Sequence, residues 1–280
     1  YNYINGILKS YYLNSEIAYS FKTNNLLAIC KIFKNVGVSA EVVSKSEYKL
    51  AKSAGFEGNK IIFNGPFKNN KDLLIAIKNN SIIQIDNFNE LERLIKISNN
   101  FNFKINVGIR LNSRNFGKSR FGFNIENGEA QFACNKIINS NNLNLLGLHM
   151  HIGYNIGSNL PPFIYKKESK ILCNFALKLK KINGCKIKYL NFGGGFPSVN
   201  IYNDSFTKKS FEIENYFKII TEVVKDKFPK KDMKIFFELG RSLIDEGSIL
   251  ISKIISDMIF KIISIEKKIN FRYHQHQPGI

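Results

Sequence analysis

The sequence has 280 residues, enough for one large domain to bury roughly three quarters of its unfolded surface without disulfides. Its formal net charge is +19 at pH 7, but lysines occur in nearly every predicted helix, so the charge predicts no local basic surface for nucleic acid. It contains no run of about twenty apolar residues and no secretory signal, and we therefore expect no membrane partner.

Eight apolar, β-branched runs bounded by turn residues predict strands. They lie at residues 18–22, 39–43, 61–64, 82–85, 105–111, 145–152, 189–192 and 234–238. Segments with helical periodicity occur between them, at residues 26–35, 45–54, 71–78, 90–98, 129–139, 162–181 and 211–227. This alternation predicts an α/β fold, a (β/α)8 TIM barrel, whose functional residues would lie at the carboxyl ends of the strands.

An open, doubly wound sheet shares the same alternation and is the alternative fold. It does not predict functional residues on strands one, five, six, seven and eight together, which is where polar motifs occur. We therefore place a barrel at residues 1–246. The β-branched run at 249–265 is interrupted by Lys253, Asp257 and Lys261, and it predicts the truncated beginning of a C-terminal β domain at residues 247–280.

The first predicted strand ends on Lys22. An ammonium group at the end of a buried strand loses hydration unless it is paired or used chemically. One interpretation is a lysine that extends its ammonium to solvent. The other is a Schiff-base lysine, whose partly desolvated amine would be deprotonated more easily and would be more nucleophilic.

Two histidines, His149 and His151, lie two residues apart on the sixth predicted strand and are expected to project from the same face. Such a pair could bind a metal, but a zinc hydrolase barrel usually needs further ligands on other strands. The other histidines, His274 and His276, lie in an irregular tail. We predict no metal site, and hydrogen-bonded strand histidines remain an alternative to a catalytic role.

Four cysteines show no paired metal-ligand spacing and lie in apolar helical or loop segments. They are Cys30, Cys134, Cys173 and Cys185. We interpret them as reduced residues of a cytoplasmic protein.

Three glycines and a charged pair lie at the ends of the last two predicted strands. Gly193, Gly194 and Gly195 directly follow the seventh strand, and Glu238 ends the eighth, with Arg241 three residues on. Glycines allow backbone N–H groups to approach an anion, and these loops commonly bind phosphate in such barrels. A buried Glu238 needs a partner, and Arg241 could bind phosphate through two hydrogen bonds. A tight turn and a purely structural Glu238–Arg241 pair are the alternatives.

Taken together, these motifs resemble those of the fold type III pyridoxal-phosphate-dependent decarboxylases, which include diaminopimelate, ornithine and arginine decarboxylases. The matching strings, in this order, are Tyr19-Ser20-Phe21-Lys22, His149-Met150-His151-Ile152-Gly153, Gly193-Gly194-Gly195 and Glu238-Leu239-Gly240-Arg241. The similarity extends from Tyr19 to about Ser252 and includes Ser44-x-x-Glu47, Asn64-Gly65 and Ser119-Arg120-Phe121-Gly122. The two-histidine spelling is closest to the diaminopimelate branch.

The resemblance implies pyridoxal 5'-phosphate as cofactor and decarboxylation of an amino acid, diaminopimelate or a related basic one. Lys22 would form a Schiff base with the cofactor, His151 would stack on its ring, and Glu238 would pair with the pyridine nitrogen and keep it protonated. Further cofactor contacts would come from Arg110, Gly153, Gly193, Gly194, Gly195, Gly240 and Arg241.

Several positions depart from the family pattern. Glu41 replaces an Asp, Leu239 a Pro and Tyr154 a Ser, and the loop at 113–118 looks shortened. Family members continue into a C-terminal domain that completes the partner subunit's site in a head-to-tail homodimer, so we expect this chain to decarboxylate poorly or not at all by itself. A non-catalytic homologue and an alanine-racemase-like enzyme, which pairs the pyridine nitrogen with arginine, are the alternative functions.

Overall fold

The computed structural model describes residues 1–113, 119–152, 161–197, 212–244, 257–263 and 268–274. The chain divides into two compact units, Tyr1–Asp245 and Glu246–Ile280. No helix within these described ranges is long and apolar enough to cross a membrane.

The described part of the first unit contains nine parallel strands, and eight of them close into a barrel. In chain order the strands are β1 (Ser15–Ser20), β2 (Ser39–Val42), β3 (Ile61–Phe63), β4 (Ile82–Ile85), β5 (Ile105–Asn112), β6 (Phe123–Asn124), β7 (Leu143–His149), β8 (Tyr189–Asn191) and β9 (Lys234–Leu239). The two-residue β6 pairs only with β5, and the other strands pair in sequence order until β9 closes onto β1. The predicted barrel is confirmed, and the open sheet is wrong.

Helices surround this barrel. They are α1 (Asn2–Tyr11), α2 (Leu27–Asn35), α3 (Lys45–Ser53), α4 (Asn70–Lys78), α5 (Phe88–Ser98), α6 (Glu129–Ile138), α7 (Pro162–Asn183), α8 (Ile213–Lys227) and α9 (Arg241–Ile244). Seven of them match predicted helices, whereas α1 and the short α9 were not predicted. In α1, Leu8 is buried and the Tyr11 hydroxyl donates to Glu214 of α8 at 2.7 Å, so this helix packs on the outer layer.

Three helices begin on a capping side chain shortly after a strand ends. Ser44 accepts a hydrogen bond from the Glu47 amide at the start of α3, and Asn87 accepts one from the Glu90 amide at the start of α5. Asn69 and Asp72 form a capping box at the start of α4. Each cap satisfies N–H groups that have no partner within the helix. The caps therefore define where the helices after β2, β3 and β4 begin.

Side chains alternate between the two faces of each barrel strand. One face packs against the helices and forms the large hydrophobic core, while Ala18, Ile62, Tyr189 and Phe236 form a separate cluster inside the barrel. Below this cluster, Glu16 accepts hydrogen bonds from Lys60 at 2.8 Å and Lys234 at 2.6 Å. The barrel interior therefore has an ionic base and an apolar middle layer.

The second unit contains an antiparallel pair within the residues described, β10 (Asp257–Ile263) and β11 (Lys268–His274).

The Tyr189 ring occupies space that two glycines leave open. Gln84 Nε2 donates to the Tyr189 hydroxyl at 3.2 Å. A Cβ atom added at Gly147 would lie 1.9 Å from Tyr189 Cζ, and one at Gly108 would lie 2.3 Å from its hydroxyl oxygen. The middle layer of the barrel is therefore closely packed around this ring.

We expect Gly147→Ala to lower the free energy of unfolding by about 1–3 kcal/mol, because the added methyl group overpacks the barrel interior. The matched control is Gly6→Ala in α1, where nothing lies within 4 Å of the added Cβ. That substitution should raise the stability by about 0.5–1 kcal/mol, since Ala favours a helix over Gly. Urea unfolding of both variants gives the comparison, and equal effects would contradict it.

Glu16 should make the stability depend on pH. Burial raises its pKa, but hydrogen bonds from Lys234, Lys60 and Ser39 outweigh burial and lower the pKa from 4.5 to about 2. The folded state therefore favours the carboxylate, so the stabilisation is complete above pH 4.5 and is lost as the pH falls toward 2. We expect Glu16→Gln to cost about 2 kcal/mol at pH 7 and much less at pH 2.5. Urea unfolding at both pH values measures this, with the exposed Glu57→Gln as control.

Candidate active site

The carboxyl ends of the strands carry a polar layer above the apolar middle of the barrel. Glu41 lies in β2, Asn64 directly follows β3, His149 and Asn191 end β7 and β8, and Glu238 lies in β9. Each of these side chains is at most 3% exposed. Polar groups buried this deeply need partners, and they find them mainly in one another.

Glu238 is at the centre of this layer. Its Oε1 atom accepts hydrogen bonds from Asn64 Nδ2 and Asn191 Nδ2, both at 2.7 Å. Its Oε2 atom lies 3.5 Å from His149 Nε2 and has no hydrogen bond. Burial raises the pKa of Glu238, but His149 and then Lys22 lower it by more, and the resulting pKa is well below the usual range. Glu238 is therefore a buried anion.

Lys22 lies in the turn after β1, two residues beyond the end of that strand at Ser20, and not on the strand as predicted. Its Nζ atom lies 3.3 Å from Glu41 Oε2, and its side chain is 44% exposed. Burial lowers the pKa of Lys22, but Glu41 and then Glu238 raise it by more, so the net shift is upward. The prediction that this amine loses its proton more easily is therefore wrong. The sequence did not show that two carboxylates on other strands, Glu41 and Glu238, lie close to it.

His151 lies beyond β7, which ends at His149, so the two histidines do not share a strand as predicted. A Cβ atom at Gly193 would lie 2.6 Å from His151 Cα, and one at Gly194 would lie 3.4 Å from its Nε2. Burial lowers the pKa of His151 well below 6.5, and Lys22 and Arg110 lower it further. The imidazole is therefore neutral.

The glycine run forms a turn that other residues could not adopt at the same place. Gly193 and Gly195 have φ angles of +65° and +84°, and a Cβ at Gly194 would lie 2.5 Å from the Glu238 carbonyl oxygen. The Gly193 amide donates to Asn191 Oδ1 at 2.9 Å, and its carbonyl accepts from the Glu238 amide at 2.8 Å. The Tyr165 hydroxyl of α7 donates to the Gly195 carbonyl at 2.9 Å. The turn is thus fixed to β9 and to α7.

Arg110 of β5 lies at the opposite side of this layer. Its Nη1 atom is 3.3 Å from Asp86 Oδ2, and its guanidinium lies 4.9 Å from the Phe121 ring centroid. The other oxygen of Asp86 accepts from the Gly122 amide at 3.2 Å. The predicted motif at residues 119–122 therefore packs against Arg110.

The remaining predicted site residues differ in their surroundings. Gly240 faces the residue after Lys22, since a Cβ there would lie 2.1 Å from Thr23 Oγ1. Arg241 begins α9 and is exposed, and among the described residues it forms no ion pair with Glu238, whose Oε2 atom faces His149 Nε2 at 3.5 Å. Gly153 lies outside the described residues, as do Tyr154 and most of the loop at 113–118.

Sequence reasoning assigned no role to several residues that build this layer. They are Glu41, Asn64, Asp86 and Asn191. The available signal was a polar residue at the end of an apolar strand, which in a parallel barrel reaches the same edge as the other strand ends.

The family comparison assigns most of this barrel to a class of pyridoxal-phosphate proteins. Residues 5–245 match the sequence profile of the pyridoxal-dependent decarboxylases, pyridoxal-binding domain. The chain belongs to this family, whose cofactor is the one predicted from the sequence. The family resemblance is thereby confirmed.

Two relatives and one solved structure illustrate the similarity. Diaminopimelate decarboxylase from Methanocaldococcus jannaschii is 28% identical over 250 residues, covering 85% of this chain and 56% of the relative. The Bacillus methanolicus enzyme of the same name is 30% identical over 254 residues, covering 85% and 57%. The crystal structure of the M. jannaschii enzyme matches the fold with a TM-score of 0.75 at 24% identity, covering 85% and 58%. The chain thus spans little more than half the length of these relatives.

The residues present fit this cofactor. Glu238 keeps a buried oxygen without a hydrogen bond, which suits a protonated ring nitrogen. The backbone at Gly193 and Gly194 leaves no room for a Cβ, which is how a turn approaches a phosphate closely. Lys22 provides an amine at the same end of the barrel.

Proposed function

We propose that this chain is the cofactor-binding part of a pyridoxal-phosphate-dependent amino-acid decarboxylase acting on diaminopimelate or a related basic amino acid. The observation that carries the proposal is the ionised, buried Glu238, which has one oxygen free of hydrogen bonds and lies within electrostatic range of Lys22 and His151. The relatives named as diaminopimelate decarboxylases support the substrate class.

In this proposal Lys22 binds the cofactor aldehyde, and the neutral His151 stacks on the cofactor ring without adding a positive charge beside it. Glu238 holds a proton at the ring nitrogen. The phosphate and the pocket wall are contacted by Arg110, Gly153, Gly193, Gly194, Gly195, Gly240 and Arg241. When bound, pyridoxal phosphate supplies a protonated pyridine ring that accepts the electrons released when the Cα–carboxylate bond breaks.

The anionic partner favours decarboxylation over racemisation. A carboxylate beside the ring nitrogen stabilises its proton, whereas an arginine there destabilises it. Asn64 and Asn191 donate hydrogen bonds to Glu238, while His149 and Lys22 lower its pKa and favour the anion. At the position that would face the ring nitrogen, the chain therefore has a carboxylate, which favours electron withdrawal by the ring. An alanine-racemase-like enzyme would have an arginine at that position.

We further infer a head-to-tail homodimer in the cytoplasm, in which a C-terminal β domain starting within residues 247–280 completes the partner subunit's site. The antiparallel pair β10 and β11 supports the β domain. The four cysteines are free, which supports a reducing compartment.

Cofactor capture at Lys22 is directly testable. Protein mixed with pyridoxal phosphate and reduced with borohydride should carry the label on one peptide, the one that contains Lys22. Lys22→Ala should abolish the label, whereas Lys60→Ala, which removes an amine at the base of the barrel, should keep it. Peptide mass spectrometry locates the label, and finding it on another lysine would remove Lys22 from the mechanism.

Glu238 should act on the reaction more than on cofactor binding. In a version completed with the C-terminal domain of a relative, we expect Glu238→Gln to keep most cofactor affinity. It should lower the decarboxylation rate about 100-fold or more, roughly 3 kcal/mol in barrier height. Carbon dioxide release measures the rate, with Glu16→Gln as the control. Near-normal turnover would make Glu238 a structural residue only.

A further inference from the structure

One amide joins the two carboxylates that lie closest to the proposed cofactor. Asn64 Nδ2 donates to Glu41 Oε1 at 2.9 Å and to Glu238 Oε1 at 2.7 Å. Its Oδ1 atom is buried and has no hydrogen bond. Turning the amide over would place that oxygen against two carboxylates, so the observed orientation is the one that the charges allow.

The backbone that carries Asn64 is held from several directions. The Asn64 amide donates to the Val42 carbonyl at 2.8 Å. Gly65 has a φ of +97°, and a Cβ there would lie 2.4 Å from the Val43 carbonyl oxygen. These constraints fix the turn after β3 against the end of β2.

A buried lysine completes this support. Lys68 is fully buried and pairs with the equally buried Glu90 at 2.8 Å. Its ammonium also donates to the carbonyls of Gly65 at 2.9 Å and Gln84 at 3.0 Å. Lys68 therefore connects the turn that carries Asn64 to the end of β4 and to α5, and it leaves the Asn64 side chain little freedom.

The shared amide determines which carboxylate oxygens are left for other partners. Because Asn64 uses Oε1 of both residues, Glu41 turns Oε2 toward Lys22 and Ser20, and Glu238 keeps Oε2 without a hydrogen bond. Resting on the proposed function, we propose that Asn64 is a positioning residue that occupies Oε1 of both carboxylates, competes with Lys22 for their negative charge, and leaves one oxygen of Glu238 for the cofactor ring nitrogen.

The test measures the basicity of Lys22 without cofactor or turnover. The charged and titratable groups that face Lys22 are Glu41, Glu47, Arg110, His151 and Glu238. If Asn64 competes with Lys22 for the carboxylates, removing its amide strengthens the interaction between the carboxylates and the Lys22 ammonium. The pKa of Lys22 then rises. If Asn64 only maintains the fold, its loss releases Lys22 and the pKa falls toward 10.5, the ordinary value.

Two variants remove the donor in different ways. Asn64→Leu keeps the approximate volume, and Asn64→Asp places a third carboxylate between the other two. We expect the reactivity of Lys22 toward a trace of acetic anhydride at pH 9, read by peptide mass spectrometry, to fall about threefold in Asn64→Leu and tenfold or more in Asn64→Asp. The rate of pyridoxal phosphate capture at that pH should fall by the same factors.

Asn112→Leu is the matched control, because the Asn112 amide is also buried but donates to the backbone carbonyls of Phe121 and Gly122. It should leave Lys22 reactivity unchanged. Circular dichroism checks that each variant is folded. Unchanged or increased reactivity in both folded Asn64 variants would overturn the inference. Failure of the proposed function is distinguishable, since the wild-type chain would then show no borohydride-fixed label at Lys22.

Discussion

The top of the barrel depends on one buried anion and the donors that it requires. Glu238 is 1% exposed, and a carboxylate in that position is stable only where hydrogen-bond donors and positive charge replace water. Asn64 and Asn191 bring those donors from β3 and β8. Asn191 also accepts from the Gly193 amide, so the group that satisfies the anion fixes the glycine turn as well. The shape of the site follows from satisfying this charge.

Residues at different depths of the barrel interior serve stability and chemistry. Glu16 and its two lysines form the base, the Tyr189 ring fills the middle, and the polar layer around Glu238 lies at the mouth. The apolar middle layer lies between the two charged layers. Substitutions at the base can therefore change the stability while the mouth keeps its geometry, in agreement with the division of roles between the two ends of such barrels.

The alternation of strands and helices was sufficient to predict the barrel, because each βα unit repeats the same pattern of buried residues. Helix α1 was not predicted because it precedes that repeat. Lys22, Arg110, His151 and Glu238 were predicted at strand ends, and the structure places Arg110 and Glu238 in strands and Lys22 and His151 two residues beyond theirs. Their partners could not be predicted, because the contact between Asn64 and Glu238 depends on the register of strands across the barrel. The direction of the Lys22 pKa shift was wrong for the same reason.

The buried pair of Lys68 and Glu90 constrains how this sequence can change over evolutionary time. Losing either residue alone leaves an unpaired charge in the protein interior, which costs about 3–5 kcal/mol, a large part of the stability of most domains. A single substitution here should therefore destabilise the fold strongly, whereas replacing both residues with apolar ones of similar volume leaves no unpaired charge. Because Lys68 also holds the turn that carries Asn64, the paired exchange would release that turn. Lys68 and Glu90 are therefore expected to be substituted together or to be retained together.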